Sequence, residues 1–328
     1  MVAPVLSIVA GTLNRRDQLV RLVESVVRET RVPFVLYITD AGSTDGTIEY
    51  LESVASDRIQ PIFVGKKLGQ ARAYNDVFMQ VTTPYVCWVS DDNEIVDHGL
   101  DKAVDILKRD RKIGMVGLKV RDKEGPFTKA PYIGGISSTG ILNVNQGVLP
   151  TPVMHAVGGF SEYFRDYGID PDLTAKVLYL GLDIVYTRDV AVHHFRNWSA
   201  DKESNDYKVM MQRQVVAKEK YEAIYGGYKK PSKVLGLKKR TWEIAKAKLA
   251  KRFDLSLDSH QSILGNIPRD YYNTVMCRYI SPLDLLTPQS KAYHLRQRYR
   301  GKWKLAGDSD AVWQAASAKA AVAKPSPG

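Results

Sequence analysis

Residues 85–93 read Tyr85-Val86-Cys87-Trp88-Val89-Ser90-Asp91-Asp92-Asn93. Five apolar side chains in a row, rich in β-branched and aromatic types, suit a central strand covered on both faces. The acids follow at once, so they fall at the carboxyl end of that strand. Working outward, the apolar spacing switches repeatedly between strand and helix. Val5-Leu6-Ser7-Ile8-Val9 predicts a first strand, and Leu19, Leu22, Val23, Val26 and Val27 share one face of a helix. Phe34 to Thr39 predicts a second strand, then a helix with Ile48, Leu51 and Val54. Tyr74, Val77, Phe78 and Val81 mark a third helix, and Leu100, Ala103, Val104 and Leu107 one after the quoted stretch. Such alternation predicts a mostly parallel α/β sheet with helices on its faces, whose ligands sit beyond the carboxyl ends of the strands.

The rest of the chain is patterned differently. Residues 114–160, rich in glycine and proline, predict loops and short strands over one end of the sheet. A helix at about 172–180 and a strand pair around 183–194 follow, then a helical, basic segment and a frayed tail. The expected division is a catalytic domain over 1–225 and a basic, mostly helical extension over 226–328. With 44% hydrophobic and 25% charged residues in 328, the composition is that of a water-soluble globular protein. Two cysteines cannot build a disulfide framework, which points to a reducing compartment. The amino terminus lacks a basic leader and reads as a strand rather than a signal peptide. No apolar run approaches the roughly 18–20 residues that cross a bilayer. A cytoplasmic protein, soluble or peripheral at a membrane, is expected.

The net charge of +11 is unevenly spread. Residues 1–228 carry 27 Lys and Arg against 29 Asp and Glu, whereas 229–252 carry ten against Glu243 alone. In 229–253 the cations interleave with Trp242, Ala245, Leu249 and Phe253 at helical spacing. That is a basic amphipathic helix suited to an anionic membrane surface, to a partner, or to packing on the main domain with a solvated basic face.

Four polar clusters sit at the ends of predicted strands or in the loops that follow. They are Thr12-Leu13-Asn14-Arg15, Asp40 to Thr47, Ser90-Asp91-Asp92-Asn93, and Gly168-Ile169-Asp170-Pro171-Asp172, the last followed by His193-His194. Two adjacent acids after a buried strand suit a hard dication such as Mn²⁺ or Mg²⁺.

The series resembles the inverting glycosyltransferases of family 2, which have the GT-A fold, over roughly residues 1–200. The matching elements are Thr-x-Asn-Arg at 12–15, Asp-x-x-Ser-x-Asp-Gly-Thr at 40–47, and Gly-x-x-x-Ala-x-Asn at Gly69, Ala73 and Asn75. The aspartate-rich motif then falls at Ser90-Asp91-Asp92, with Ser90 standing where the family has its first aspartate. The resemblance implies a metal-dependent transfer of sugar from a nucleotide-diphosphate donor to a hydroxyl of a glycan or lipid-linked acceptor. It implies Thr12, Asn14, Arg15 and Asp40 around the nucleotide, with Arg72 near it and Asp91 at the ribose. Asp92 becomes the metal ligand, joined by His194, with His193 one residue away as the substitute; a histidine alternating with Val190 and Val192 also suits a buried strand face. Asp170 becomes the base that takes the acceptor proton, although the same residue before Pro171 suits a helix N-cap, and the two roles are compatible. Asp172 reads as a first-turn acid, and Trp198 as a stacking surface for an acceptor sugar or a core residue.

Two other classes compete. A nucleotidyltransferase calls for a glycine-rich basic run near the first strand, which Gly11-Thr12-Leu13-Asn14-Arg15 lacks. A nucleotide- or nucleic-acid-binding protein without transferase activity finds support only in the basic tail. With no zinc-spaced Cys/His set or aromatic RNA-binding strand, no nucleic-acid partner is expected. If 229–253 docks on anionic lipid, the full chain sediments with vesicles containing phosphatidylglycerol but not with pure phosphatidylcholine, and added salt releases it.

Overall fold

The computed structural model describes residues 2–225 apart from 130–132, 134, 137–141, 165 and 181. The expected extension, with its amphipathic segment 229–253, lies outside the described residues. The ten strands and seven helices described form an α/β fold around an eight-stranded mixed sheet.

The first half follows the alternation expected. Strands β1 (Leu6–Thr12), β2 (Phe34–Asp40), β3 (Ile59–Phe63) and β4 (Tyr85–Trp88) run parallel in the spatial order β3-β2-β1-β4. Helices α1 (Arg16–Glu29), α2 (Thr47–Val54) and α3 (Gln70–Phe78) connect them. The register puts Thr12 beside Asp40 and Val9 beside Trp88, so the clusters after three strands open at one edge of the sheet. After β4 come a short β5 (Asn93–Ile95) and helix α4 (Gly99–Arg109), whose Leu100, Ala103, Val104 and Leu107 are buried.

Beyond α4 the structure corrects the expectation. Residues 114–160 are not loops over the end of the sheet. They supply β6 (Ile113–Glu124), the two-residue β7 (Gly135–Ile136) and β8 (Leu142–Asn143), then β9 (Gln146–Pro150) and helix α5 (Thr151–Val157). β9 lies in the middle of the sheet, antiparallel to both β4 and β6. The glycines that suggest loops are strand positions where a neighbour packs onto the backbone. A Cβ on Gly117 would lie 2.7 Å from the Tyr186 ring, and one on Gly147 would lie 2.9 Å from Trp88. Both are close-approach glycines within strands. The predicted helix at 172–180 begins earlier, as α6 (Ile169–Tyr179), directly after Gly168 at φ 89°. Asp170 therefore stands inside the first turn rather than capping it. The predicted strand pair is one strand, β10 (Asp183–Phe195), parallel to β6 with several register shifts and antiparallel to β5. Helix α7 (Asn205–Tyr225) follows.

Two apolar cores cover the two faces of the sheet. One packs α3, α5 and α6 around Trp88, Phe78 and Phe160; the other packs α1 and α4 around Leu22, Leu36 and Leu100. Cys87, placed on a both-faces-buried strand by its sequence, is buried in the second. In the first, Asn75 does the work of a strand backbone. Its Nδ2 donates to the Phe160 carbonyl and its Oδ1 accepts from the Phe160 N–H, both at 2.8 Å. Asn75→Ala strands both groups without partners and is expected to cost about 2–4 kcal/mol. Urea unfolding followed by far-ultraviolet circular dichroism measures the loss.

Candidate active site

A cavity of about 620 Å³ lies where the strand ends converge, reaching Thr12, Asp40, Asp91, Asp92, Asp170 and His194. Local chemistry shapes each wall. Asp40 ends β2 and turns the chain: its Oδ1 accepts from the N–H groups of Gly42 (2.8 Å) and Ser43 (2.9 Å), while Oδ2 accepts the Ser43 hydroxyl. Asn14, at φ 53°, braces that turn; its N–H donates to the Ser43 hydroxyl (2.9 Å) and its Oδ1 accepts from the Thr44 N–H (2.8 Å). Asn14 thus braces the turn beside the cavity, between Leu13 and Arg15, which line it. Tyr74 spans the ends of β1 and β4, accepting from the Gly11 N–H (3.1 Å) and donating to the Val89 carbonyl (2.7 Å). Its complete burial pushes the phenol up, so it acts as a fixed hydroxyl strut.

Arg72 departs from expectation. Helix α3 buries Ala71, Tyr74, Asn75 and Phe78 and shows Gln70 and Ala73 to the cavity. Position 72 is rotated toward solvent, where the guanidinium pairs with Asp76 (2.9 Å) and Glu162 (3.6 Å).

The acidic pair meets two basic side chains. Arg15 Nη1 lies 3.0 Å from Asp91 Oδ1 and 3.3 Å from Asp92 Oδ2. On the other side, His194 Nε2 lies 3.1 Å from Asp92 Oδ1. These contacts set the protonation states. The Asp91 charge, with that of Asp92, raises Arg15 despite its burial. Burial pushes Asp91 above the usual carboxylate range, with Arg15 opposing it. Burial would also raise Asp92, but His194, Arg15 and Arg196 outweigh it and hold Asp92 low. For His194, burial opposes the charged form, and Asp92 and Asp122 overcome it, raising the imidazole. His193, the alternative, faces away and pairs with Glu94 at 3.1 Å, where burial lowers it. Between the two histidines, the structure brings His194 to the acids.

Among the described residues, no three His, Cys, Asp or Glu side chains are grouped to hold a metal ion by themselves. Asp92 and His194 offer two donors on one side of the cavity, with Asp91 beside them. That set fits a hard dication of the Mg²⁺ type, which takes one or two protein ligands and completes its shell with substrate phosphates and water.

Asp170 lines the same cavity from the first turn of α6, with Oδ2 3.4 Å from Asn145 Nδ2. Burial pushes its carboxyl up to about 7. Asp172 turns inward instead, into a buried pair with Lys176 (3.1 Å), which also donates to the Gly159 carbonyl (2.9 Å). Trp198 lines the cavity with the Arg196 guanidinium 4.8 Å from its ring centroid and Phe127 edge-on at 5.8 Å. Sequence reasoning passed over Asn145, Gln146, Tyr167, Arg196 and Arg213, all of which line the cavity. Each is an isolated polar residue in a strand, loop or helix, and spacing alone carries no signal for it.

A mostly parallel α/β sheet with an acidic pair beyond a central strand defines a GT-A type glycosyltransferase fold. The mannosyltransferase PcManGT of Pyrobaculum calidifontis, solved with GDP-Man and Mn²⁺, shares it with a TM-score of 0.51 at 17% identity, over 98% of this chain and 81% of that one. Residues 7–168 match the model of glycosyl transferase family 2, and that stretch is a domain of the family. Among curated relatives, a glycosyltransferase of Nostoc sp. is 29% identical over 114 residues, covering 34% of this chain and 35% of the relative. The O-antigen biosynthesis protein RfbC of Myxococcus xanthus is 24% identical over 221 residues, covering 58% of this chain and 17% of RfbC. The chain thus spans about a third or less of the length of these relatives.

The raised Asp170 carboxyl has a consequence for stability. A carboxyl titrating near 7 when folded and near 4 when unfolded binds its proton more tightly in the native state. Its contribution is fully present below about pH 4 and is lost as pH rises to 7. Asp170→Asn, neutral throughout, is expected to melt increasingly above the parent protein as pH climbs through this window, levelling off beyond it. Thermal melts between pH 4.5 and 8.5 check the sign.

Proposed function

We propose that this chain transfers a sugar, with inversion, from a nucleoside-diphosphate donor to a hydroxyl of a glycan or lipid-linked acceptor, assisted by Mn²⁺ or Mg²⁺. The observation that carries the proposal is the convergence of Asp91, Asp92, His194 and Asp170 on one cavity large enough for a nucleotide sugar. The GDP-Man and Mn²⁺ bound to the Pyrobaculum enzyme of the same fold support it.

In this proposal Asp92 and His194 hold the metal, and Asp91 stays beside them as a further acid or a ribose contact. The bound metal neutralises the negative charge that gathers on the diphosphate as the glycosidic bond breaks. Thr12, Asp40 and Arg15 border the nucleotide. Gln146 Oε1 and Asn145 Oδ1 are buried and accept no hydrogen bond from the protein, so sugar hydroxyls are their natural donors. Asp170 takes the proton from the acceptor hydroxyl as its oxygen attacks the anomeric carbon in line. A carboxyl near 7 is well matched to that task at neutral pH. Trp198 offers an aromatic face to an acceptor ring. Residues 229–253 contact an anionic surface in this proposal, which suits a lipid-linked acceptor.

Screening nucleotide sugars for metal-dependent release of nucleoside diphosphate tests the proposal. With the active donor in hand, Asp92→Ala should lower kcat/KM by roughly 10³-fold, equivalent to several kcal/mol of lost charge stabilisation. Asp170→Asn should lower kcat by about 10²- to 10⁴-fold. Activity of the parent protein should rise with pH through about 7 as Asp170 ionises. Full transfer by Asp170→Asn would remove the base, and undiminished metal dependence in Asp92→Ala would remove the metal site.

A further inference from the structure

The backbone of Asp170 is fixed within α6, where its carbonyl accepts the Thr174 hydroxyl at 2.8 Å. Its carboxyl is held by a residue from another element. Asn145, in the bend before β9, donates from Nδ2 to Asp170 Oδ2 across 3.4 Å. Asn145 is anchored in turn. Its main-chain carbonyl accepts from the Trp88 indole N–H at 2.9 Å, and Trp88 is 1% exposed and edge-on to Phe160 at 5.6 Å. The Asn145 side chain therefore springs from a point tied to the core.

The charge of Asp170 sets the orientation of the amide. A carboxylate accepts hydrogen bonds and offers none, so Nδ2 must face Asp170 and Oδ1 must turn from it. That Oδ1 is buried and accepts no hydrogen bond from the protein, while the residue lines the cavity. A sugar hydroxyl bonded there locks the same amide that carries Nδ2.

Neighbouring charges do not hold Asp170. Among the described residues, burial raises its carboxyl, and hydrogen bonding from Asn145, with a smaller share from Trp88, opposes the rise. The ionisable groups that share the cavity, Asp91, Asp92, Asp166, His194, Arg196 and Arg213, contribute nothing to the shift. On α6, Asp172 and Lys176 pair with each other at 3.1 Å. On α5, His155 turns to the Phe78 carbonyl at 2.7 Å.

We infer that Asn145 is a positioning residue for the base, its Nδ2 holding the Asp170 carboxylate in place while its Oδ1 couples that hold to sugar binding. This rests on the proposed role of Asp170. Asn145 takes no proton and acts on the reaction through the carboxylate.

Asn145→Ala removes the amide and leaves the main-chain bond to Trp88 in place. The first measurement needs no substrate. In the full chain labelled with ¹³C at aspartate carboxyls, Asp170 is the resonance missing from Asp170→Asn. Its titration should move upward by about one pH unit in Asn145→Ala, because a hydrogen bond to the charged form is lost. The second measurement uses the donor found by screening, with Mn²⁺. The acidic limb of kcat should move up in step, so that Asn145→Ala loses about 5- to 10-fold near pH 7 and recovers at higher pH. In an Asp170→Asn background the same substitution should leave kcat unchanged. A carboxyl that titrates alike in both proteins, or an equal, pH-independent loss in both backgrounds, overturns the inference. If the titration shifts but Asp170→Asn keeps full transfer, the base assignment fails while the hold of Asn145 on the carboxyl stands. Should Asn145→Ala not fold, the isosteric Asn145→Asp sets a second acceptor against Asp170 and should push its titration higher still. No rise in that variant overturns the inference.

Discussion

The site depends on a balance of buried charge. Asp91, Asp92 and Asp122 all lie at the carboxyl-end edge of the sheet with little access to water, and each is matched by Arg15, His194 or Arg196. A buried ion costs several kcal/mol unless it is paired and hydrogen-bonded. The alternation of acid and base therefore ties together segments that are far apart in sequence. The loop after β1 brings Arg15, the turn after β4 brings the aspartates, β6 brings Asp122, and the end of β10 brings His194 and Arg196. Removing any one member leaves its neighbour as an uncompensated charge. The geometry of the site and the integrity of this edge of the sheet are thus the same problem.

Much of the fold could be read from the chain because its first half keeps simple patterns. β1, β2 and β4 are apolar runs buried on both faces, and α1 to α4 carry apolar residues three and four apart, whereas β3, with only Ile59 buried, offers no such run. The reading failed where glycine means contact rather than a turn. Gly117 and Gly147 lie in strands against Tyr186 and Trp88, and a residue without a side chain cannot announce what packs on it. The start of α6 was misplaced for a related reason. Pro171 in the first turn suggested Asp170 as the cap, but the break in the chain is made two residues earlier by Gly168.

The candidate site divides along similar lines. Residues in compact motifs, such as Asp40, Asp91 and Asp92, could be singled out because motif and strand end coincide. Arg72 and Asn14 belong to motifs too, but the phase of α3 turns Arg72 to solvent, and Asn14 braces the 40–47 turn. The phase of α3 was available in advance: with Ala71, Tyr74, Asn75 and Phe78 inward, position 72 must face out. Asp122 and Arg196 offered no such hint. Asp122 lies in β6 among Arg121, Lys123 and Glu124, Arg196 lies just after β10, and they meet only through the register between β6 and β10, which no local pattern encodes.

The antiparallel insertion of β9 has an evolutionary consequence. The chain leaves the sheet after β6 and returns in the adjacent strand, β9. The excursion over 125–145 is thus pinned at both ends by neighbouring strands, and its length is free of any crossover geometry. Doubling such a segment adds only about 0.6 kcal/mol of closure entropy. It delivers the chain directly to Asn145 and Gln146 on the cavity wall. A lineage can therefore lengthen, shorten or replace this stretch and diversify what the enzyme recognises, while the charge-tied scaffold beneath is inherited intact.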